Sequence, residues 1–154
     1  MMTGQVAIIG TGLIGQAWAI SFASAGYQIR IWDANADIAA SALSAIGLRL
    51  ATLQDNALLS ETATAIRARI TVAGSLESAG IVADYIQENV PEDLEIKRAV
   101  IGEIDEACSS TAIIASSTSA LLPSRLFSDV KGAGRCLIAH PVNPPYLIDR
   151  KSVV

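Results

Sequence analysis

Residues 5–15 read QVAIIGTGLIG, and residues 27–33 read YQIRIWD. The first stretch is a short apolar run, Gln5 to Ile9, that stops at Gly10 and passes straight into a glycine-rich turn. A strand of a parallel sheet covered by helices on both sides has no polar face, so it reads as an unbroken apolar run. Apolar and small residues then recur at helical spacing over 13–25, with Gly26 placed to end the helix. Residues 27–32 alternate, are rich in β-formers and end at Asp33.

The turn between strand and helix is Gly10-Thr11-Gly12-Leu13-Ile14-Gly15, which fits G-x-G-x-x-G. Alone the pattern is weak, but a preceding strand, a following helix and a second strand ending in an acid make it diagnostic. Gly10 permits the tight turn, Gly12 lets the backbone approach a diphosphate, and Gly15 lets the helix lie close to the sheet. The helix start, at Leu13 and Ile14, offers free N–H groups and a positive dipole end to the phosphates. Asp33 lies 18 positions beyond Gly15. A carboxylate there accepts hydrogen bonds from the adenosine ribose hydroxyls and repels a 2′-phosphate. Arg30, three residues before the strand's end, is expected to project elsewhere. The chain therefore reads as a Rossmann-type domain that binds NAD rather than NADP.

The rest continues the alternation. Helices are predicted over 37–59, 61–68, 121–127 and from Pro91 to 107, and strands over 70–73, 81–87, 112–116 and 136–139. Such alternation implies right-handed βαβ units and a doubly wound, mostly parallel α/β sheet, with extra helix after strand two. At 154 residues the chain is about one domain long. A net charge of -4 without a Lys/Arg cluster speaks against nucleic acid or an anionic membrane as partner. Two cysteines without a CxxC pair and a single histidine exclude a disulfide framework and a zinc site. No apolar run is expected to reach the ~20 residues of a membrane span, and no basic segment precedes the first strand. The expectation is a soluble, cytoplasmic protein.

A second constellation lies where strands five and six end. Ser116-Ser117-Thr118-Ser119 follows AIIA, and His140-Pro141-Val142-Asn143 follows CLIA. Ligands of a doubly wound sheet sit outside the carboxyl ends of its strands, so both segments are expected to face the glycine loop's crevice. There an imidazole suits proton removal from an alcohol whose hydride leaves for nicotinamide, with a serine to orient the oxygen. The residues alone are equally consistent with a hydrogen-bonded scaffold histidine and a Ser/Thr run that caps a helix.

The stretches GTGLIG, YIQENVPEDLEIK, SSTSALLPSRLF and AHPVNPPYLI resemble the 3-hydroxyacyl-CoA dehydrogenase family, in its NAD-binding N-terminal domain. The similarity is greatest to the branch containing lambda-crystallin, also known as L-gulonate 3-dehydrogenase. The resemblance implies His140 as general base, Ser119 as substrate-orienting serine and Asn143 as the asparagine that follows the histidine. It places Glu92 and Lys97 near the nicotinamide half of NAD, and Ser117 at a cofactor contact where many relatives carry asparagine. It further implies a 3-hydroxyacyl-CoA or a free 3-hydroxy acid as substrate, fatty acid metabolism as one setting, and a homodimeric full-length parent. The helices after residue 37 match an insertion that helps to hold the thioester in acyl-CoA-using relatives. The related β-hydroxyacid dehydrogenase group, with its lysine base, fits less well, for no matching glycine-rich substrate motif follows strand five.

The family pattern continues into a glutamate twelve positions after His140, where this chain has Ser152. That acid holds the histidine's tautomer, as in a triad. The resemblance covers residues 1–148, without the family's C-terminal helical domain. DRKSVV, at 149–154, is also what a common sequencing adapter encodes in one frame, so a non-native tail is expected. Such a fragment is expected to turn over little or nothing. A non-catalytic NAD-binding or crystallin-like structural module is the alternative.

Overall fold

The computed structural model describes residues 4–147. Ile148, the expected tail over 149–154 and Ser152 lie outside the described residues. Strands β1 (Gln5–Ile9), β2 (Gln28–Trp32), β3 (Ile70–Val72), β4 (Tyr85–Glu88), β5 (Ile113–Ser116) and β6 (Cys136–Ile138) form one sheet. Its order is β3-β2-β1-β4-β5-β6, and every neighbouring pair is parallel. The order reverses between β1 and β4, which opens a crevice at the carboxyl ends of those two strands.

Alternation along β1 explains how one apolar run serves two cores. Val6 and Ile8 point into a cluster with Trp18, Ile20, Ile46, Leu50 and Ile66, contributed by α1 (Leu13–Ser24), α2 (Ala36–Asp55) and α3 (Ala63–Arg67). Ala7 and Ile9 point the other way, into a cluster with Leu76, Ile86, Ile101, Ile104 and Leu126. That side is built by α4 (Leu76–Gly80), α5 (Leu94–Ala107) and α6 (Pro123–Leu126). Helix α1 meets the sheet through Gly15, Ala17, Ala19 and Ala23, all buried, and small residues there allow a close approach.

Several elements differ from the sequence reading, each for a local reason. Helix α2 stops at Asp55 rather than 59, because Ala57 adopts a φ of 56° and the Leu58 N–H returns to the Leu53 carbonyl. At 20 residues, with an 18-residue stretch of mean hydropathy 1.4, α2 is by length and composition long and apolar enough to cross a membrane, contrary to expectation. It is nonetheless a core helix, since Ala39, Ala42, Ile46, Leu50 and Leu53 are buried along one face. Helix α4 is an addition that periodicity did not reveal. Ser75 and Ser78 cap it reciprocally, a serine-only version of the usual capping box. Ile81 and Val82 consequently belong to the turn after α4, and β4 begins only at Tyr85, opposite Val6. Pro91 precedes α5 instead of opening it. Asp93 is the cap, accepting the Glu95 and Ile96 N–H groups on Oδ1 at 3.0 Å each.

One packing constraint sets the angle between α1 and β1. A Cβ at Gly15 would stand 2.0 Å from the Gly10 carbonyl oxygen and 3.3 Å from Ile8 Cγ2. A Cβ at Gly12 would meet nothing within 4 Å. Gly15→Ala is therefore expected to lower unfolding free energy by about 3 kcal/mol, the upper end for overpacking. Gly12→Ala is expected to leave it nearly unchanged. Urea denaturation of both variants measures the difference, and equal midpoints would contradict the packing.

Candidate active site

The adenosine side is built around the turn from β1 to α1. Gly10 has a φ of 84°, and a Cβ there would approach the Asn89 backbone to 2.8 Å. Glycine is thus required twice over, by conformation and by contact with the loop after β4. No side chain caps α1, whose N-cap is Gly12. The first-turn N–H groups at Leu13 and Ile14 therefore face outward beside a glycine with open space at its Cα, as a bound diphosphate requires. Asp33 follows β2 directly. Its Oδ2 accepts from the Thr11 N–H at 2.8 Å and the Thr11 hydroxyl at 3.0 Å, and its Oδ1 accepts from the Asn35 N–H at 3.1 Å. A carboxylate offers about four acceptor positions, so one on Oδ1 is left for a ribose hydroxyl. Arg30 points away, donating to the Ser78 carbonyl at 2.7 Å.

The other side is a cleft of about 550 Å³ outside the ends of β4, β5 and β6. Its walls include Ile14, Glu92, Lys97, Ser117, Ser119, His140 and Asn143, so the second constellation does assemble in one place. Ile14, in the first turn of α1, joins this cleft to the glycine loop. Gly10, Gly12, Leu13, Gly15 and Asp33 are not among the cleft's lining residues, though Gly10 packs against the backbone of Asn89 and Val90, which are. Such a division suits a long dinucleotide with its diphosphate at the helix end. His140 and Asn143 are exposed on the loop after β6. That loop is anchored by the Ala139 N–H on the Ser116 carbonyl at 2.9 Å and by buried Pro141 and Pro145. The Asn143–Pro144 peptide is cis. Among the described residues no carboxylate pairs with the His140 imidazole.

Beneath the cleft is a polar cluster that sequence reasoning passed over. Glu88 is 0 % exposed, yet both oxygens are satisfied. Oε1 accepts from Lys97 Nζ at 2.8 Å and the Val90 N–H at 2.6 Å, and Oε2 accepts from the Ser116 hydroxyl. Lys97, itself 1 % exposed, gives its remaining protons to the Val90 carbonyl at 3.0 Å and toward Glu92 Oε2 at 3.5 Å. Its ammonium is thus fully engaged in holding the 88–92 loop, beside the cleft that Lys97 helps to line. Ser117 is engaged in the same way. Its Oγ accepts from Trp18 Nε1 at 3.0 Å and Gln87 Nε2 at 2.8 Å and donates to Asn89 Oδ1 at 2.7 Å. Those bonds use all of the hydroxyl's capacity, and its side chain braces the cleft wall. The available signal was YIQE itself: two polar residues ending a strand too central to be wet.

Glu92 Oε1 gathers the Thr118 hydroxyl at 2.6 Å, the Ser119 N–H at 2.9 Å, the Ser119 hydroxyl at 3.3 Å and the Ala120 N–H at 3.2 Å. Partial burial pushes its carboxyl up. The Thr118, Ser119 and Ala120 hydrogen bonds and the Lys97 charge outweigh that and hold it at about 2. Glu92 thereby fixes the turn that carries Ser119.

Fold and site together define a dinucleotide-binding domain with Ser119 and His140 lining one cleft beside the glycine loop's helix. The family model for the 3-hydroxyacyl-CoA dehydrogenase NAD-binding domain matches residues 5–153. The chain belongs to this family of NAD-dependent dehydrogenases and is its NAD-binding domain. It is similar to the lambda-crystallin homolog of Mus musculus, at 39% identity over 147 residues, covering 94% of this chain and 46% of that protein. It is also similar to L-carnitine dehydrogenase of Streptomyces griseus, at 36% identity over 150 residues, covering 97% of this chain and 44% of that one. Among solved structures, 3-hydroxybutyryl-CoA dehydrogenase from Escherichia coli superposes with a TM-score of 0.87 at 26% identity, over 94% of this chain and 31% of that one. The chain spans about half the length of the curated relatives it matches.

Two outcomes follow from the cluster. Lys97→Met strands the Glu88 carboxylate in a buried site and is expected to cost about 3–5 kcal/mol in urea denaturation. Adding Glu88→Gln should recover part of that loss. Glu92 ionises at about 2 when folded against an ordinary 4.5. Its contribution to stability is therefore complete above 4.5 and fades as pH falls toward 2. Glu92→Gln should flatten the stability–pH curve in that window, lowering stability most at neutral pH and least near pH 2.

Proposed function

We propose that this chain is the cofactor half of an NAD-dependent dehydrogenase that oxidises the secondary alcohol of a 3-hydroxy acid or its CoA thioester. The observation that carries the reading is the meeting of Ser119, His140 and Asn143 in one cleft with Ile14 of the glycine-loop helix. His140, exposed to the cleft, takes the proton of the substrate hydroxyl as the carbonyl forms. The Ser119 hydroxyl, now lent to Glu92 at 3.3 Å, is free to turn to the substrate oxygen, while its backbone stays pinned by the same carboxylate. Asn143 supplies an amide on the facing wall. NAD, when bound, supplies the acceptor for the hydride that leaves the carbinol carbon. Gly10, Gly12, Leu13, Ile14 and Gly15 would hold its diphosphate and Asp33 its adenosine ribose.

The relatives include an L-carnitine dehydrogenase, whose named substrate is a free 3-hydroxy acid, and this supports the free acid over a thioester. The full-length parent is proposed as a homodimer, and the chain alone as binding NAD with little or no turnover. A non-catalytic NAD-binding or crystallin-like module is the second reading, favoured by Ser152 standing where the family's glutamate is expected.

Assay of the full-length parent with NAD and a panel of 3-hydroxy acids and 3-hydroxyacyl-CoA esters separates the two. NADH formation that falls about 10²–10⁴-fold in His140→Ala is expected for the dehydrogenase. No NADH from any substrate, or an unchanged rate in that variant, would favour the module.

A further inference from the structure

Thr11, between the first two glycines of the loop, is 1 % exposed and held on every polar side. Its N–H and hydroxyl both go to Asp33 Oδ2. Its carbonyl accepts from Gln16 Nε2 at 2.8 Å, and Gln16 Oε1 accepts from Arg49 Nη1 at 2.8 Å. Arg49 lies on α2, 33 residues along the chain from Gln16, and is only partly buried. Among the described residues no carboxylate ion-pairs with it. A guanidinium only donates and a carbonyl only accepts, so these two neighbours fix which way the Gln16 amide faces.

We propose that Arg49, Gln16 and Thr11 form a positioning chain through which helix α2 holds the glycine loop and Asp33 in NAD-binding shape. The inference rests on the loop being the NAD site. Thr11's peptide plane sets the direction of the next N–H groups, those aimed at the diphosphate. Held between Asp33 and Gln16, it stays in place without a ligand, so less ordering is left for binding to supply. The same threonine hydroxyl fixes the Asp33 carboxylate and leaves Oδ1 turned to the ribose. Dinucleotide affinity and the preference for a 2′-hydroxyl over a 2′-phosphate are thus set partly by residues that touch neither group. Arg49 acts from the helix that follows the adenosine-side strand.

Calorimetric titration of the whole 154-residue chain with NAD and with NADP tests this. Arg49→Met, Gln16→Met and Thr11→Val are each expected to weaken NAD about two- to tenfold, the range for one net hydrogen bond. NADP should weaken less, so the ratio of the two Kd values narrows, and Thr11→Ser should keep the wild-type ratio. The double variant Arg49→Met/Gln16→Met should bind no more weakly than Gln16→Met alone, because both changes cut one chain. NAD affinity within twofold of wild type in Arg49→Met and Gln16→Met, with unchanged circular dichroism, would overturn the proposal. Should Gln16→Met not fold, Arg49→Lys and the Thr11→Ser/Thr11→Val pair decide it by the same ratio. A wild-type chain that gives no heat with NAD would sink the cofactor assignment instead.

Discussion

A carboxylate with no exposed surface cannot be left unpaired, and Glu88 is the point from which the cleft end of this domain is organised. Its two oxygens draw in Lys97 from α5, the Val90 N–H from the loop after β4 and the Ser116 hydroxyl at the end of β5. Three separate segments are thereby locked at the same depth below the cleft. Lys97 then reaches on to Glu92, and Glu92 collects the turn bearing Ser119. A line of charge-assisted bonds therefore runs from the floor of the sheet to Ser119 in the cleft wall.

The glycine loop is held by shape where the other end is held by charge. Gly10 sits against the Asn89 backbone and Gly15 against the Gly10 carbonyl, so β1, α1 and the β4 loop share one small volume. The two ends are tied together at Asn89, which accepts from Ser117 and donates to the Ile9 and Gln87 carbonyls. Ser117 in turn takes the Trp18 indole N–H from the middle of α1. The glycine loop and the loops lining the cleft are consequently parts of one hydrogen-bonded framework, and a ligand spanning both needs little reorganisation of the protein.

Much of the fold was legible because its signals are local. The apolar run of β1, the glycine spacing, the alternation of β2 and the Asp33 terminus each follow from a few adjacent residues and fixed periodicities. Element ends were less legible. The stop of α2 depends on a left-handed Ala57, and the start of β4 depends on pairing with β1, neither of which a period reveals. Helix α4 was missed because its cap uses Ser78 where the usual pattern has Glu or Gln. His140, Ser119 and Asn143 were readable as polar groups just past predicted strands, and the topology brings them to one cleft.

The sequence by itself determined the strand–helix order, the loop built for a diphosphate, the acid that favours NAD, and the family to which the chain belongs. Only the tertiary structure decided what Lys97, Ser117 and Gln16 do. Ser117 bonds Trp18 from 99 residues away and Gln16 bonds Arg49 from 33 away, contacts that exist only once sheet and helices have packed. Lys97 meets Glu88, nine residues back, only after the chain has turned from β4 into α5. Turn chemistry and hydrophobic period act over a few residues, whereas the satisfaction of a buried polar atom depends on whatever distant segment the fold sets beside it.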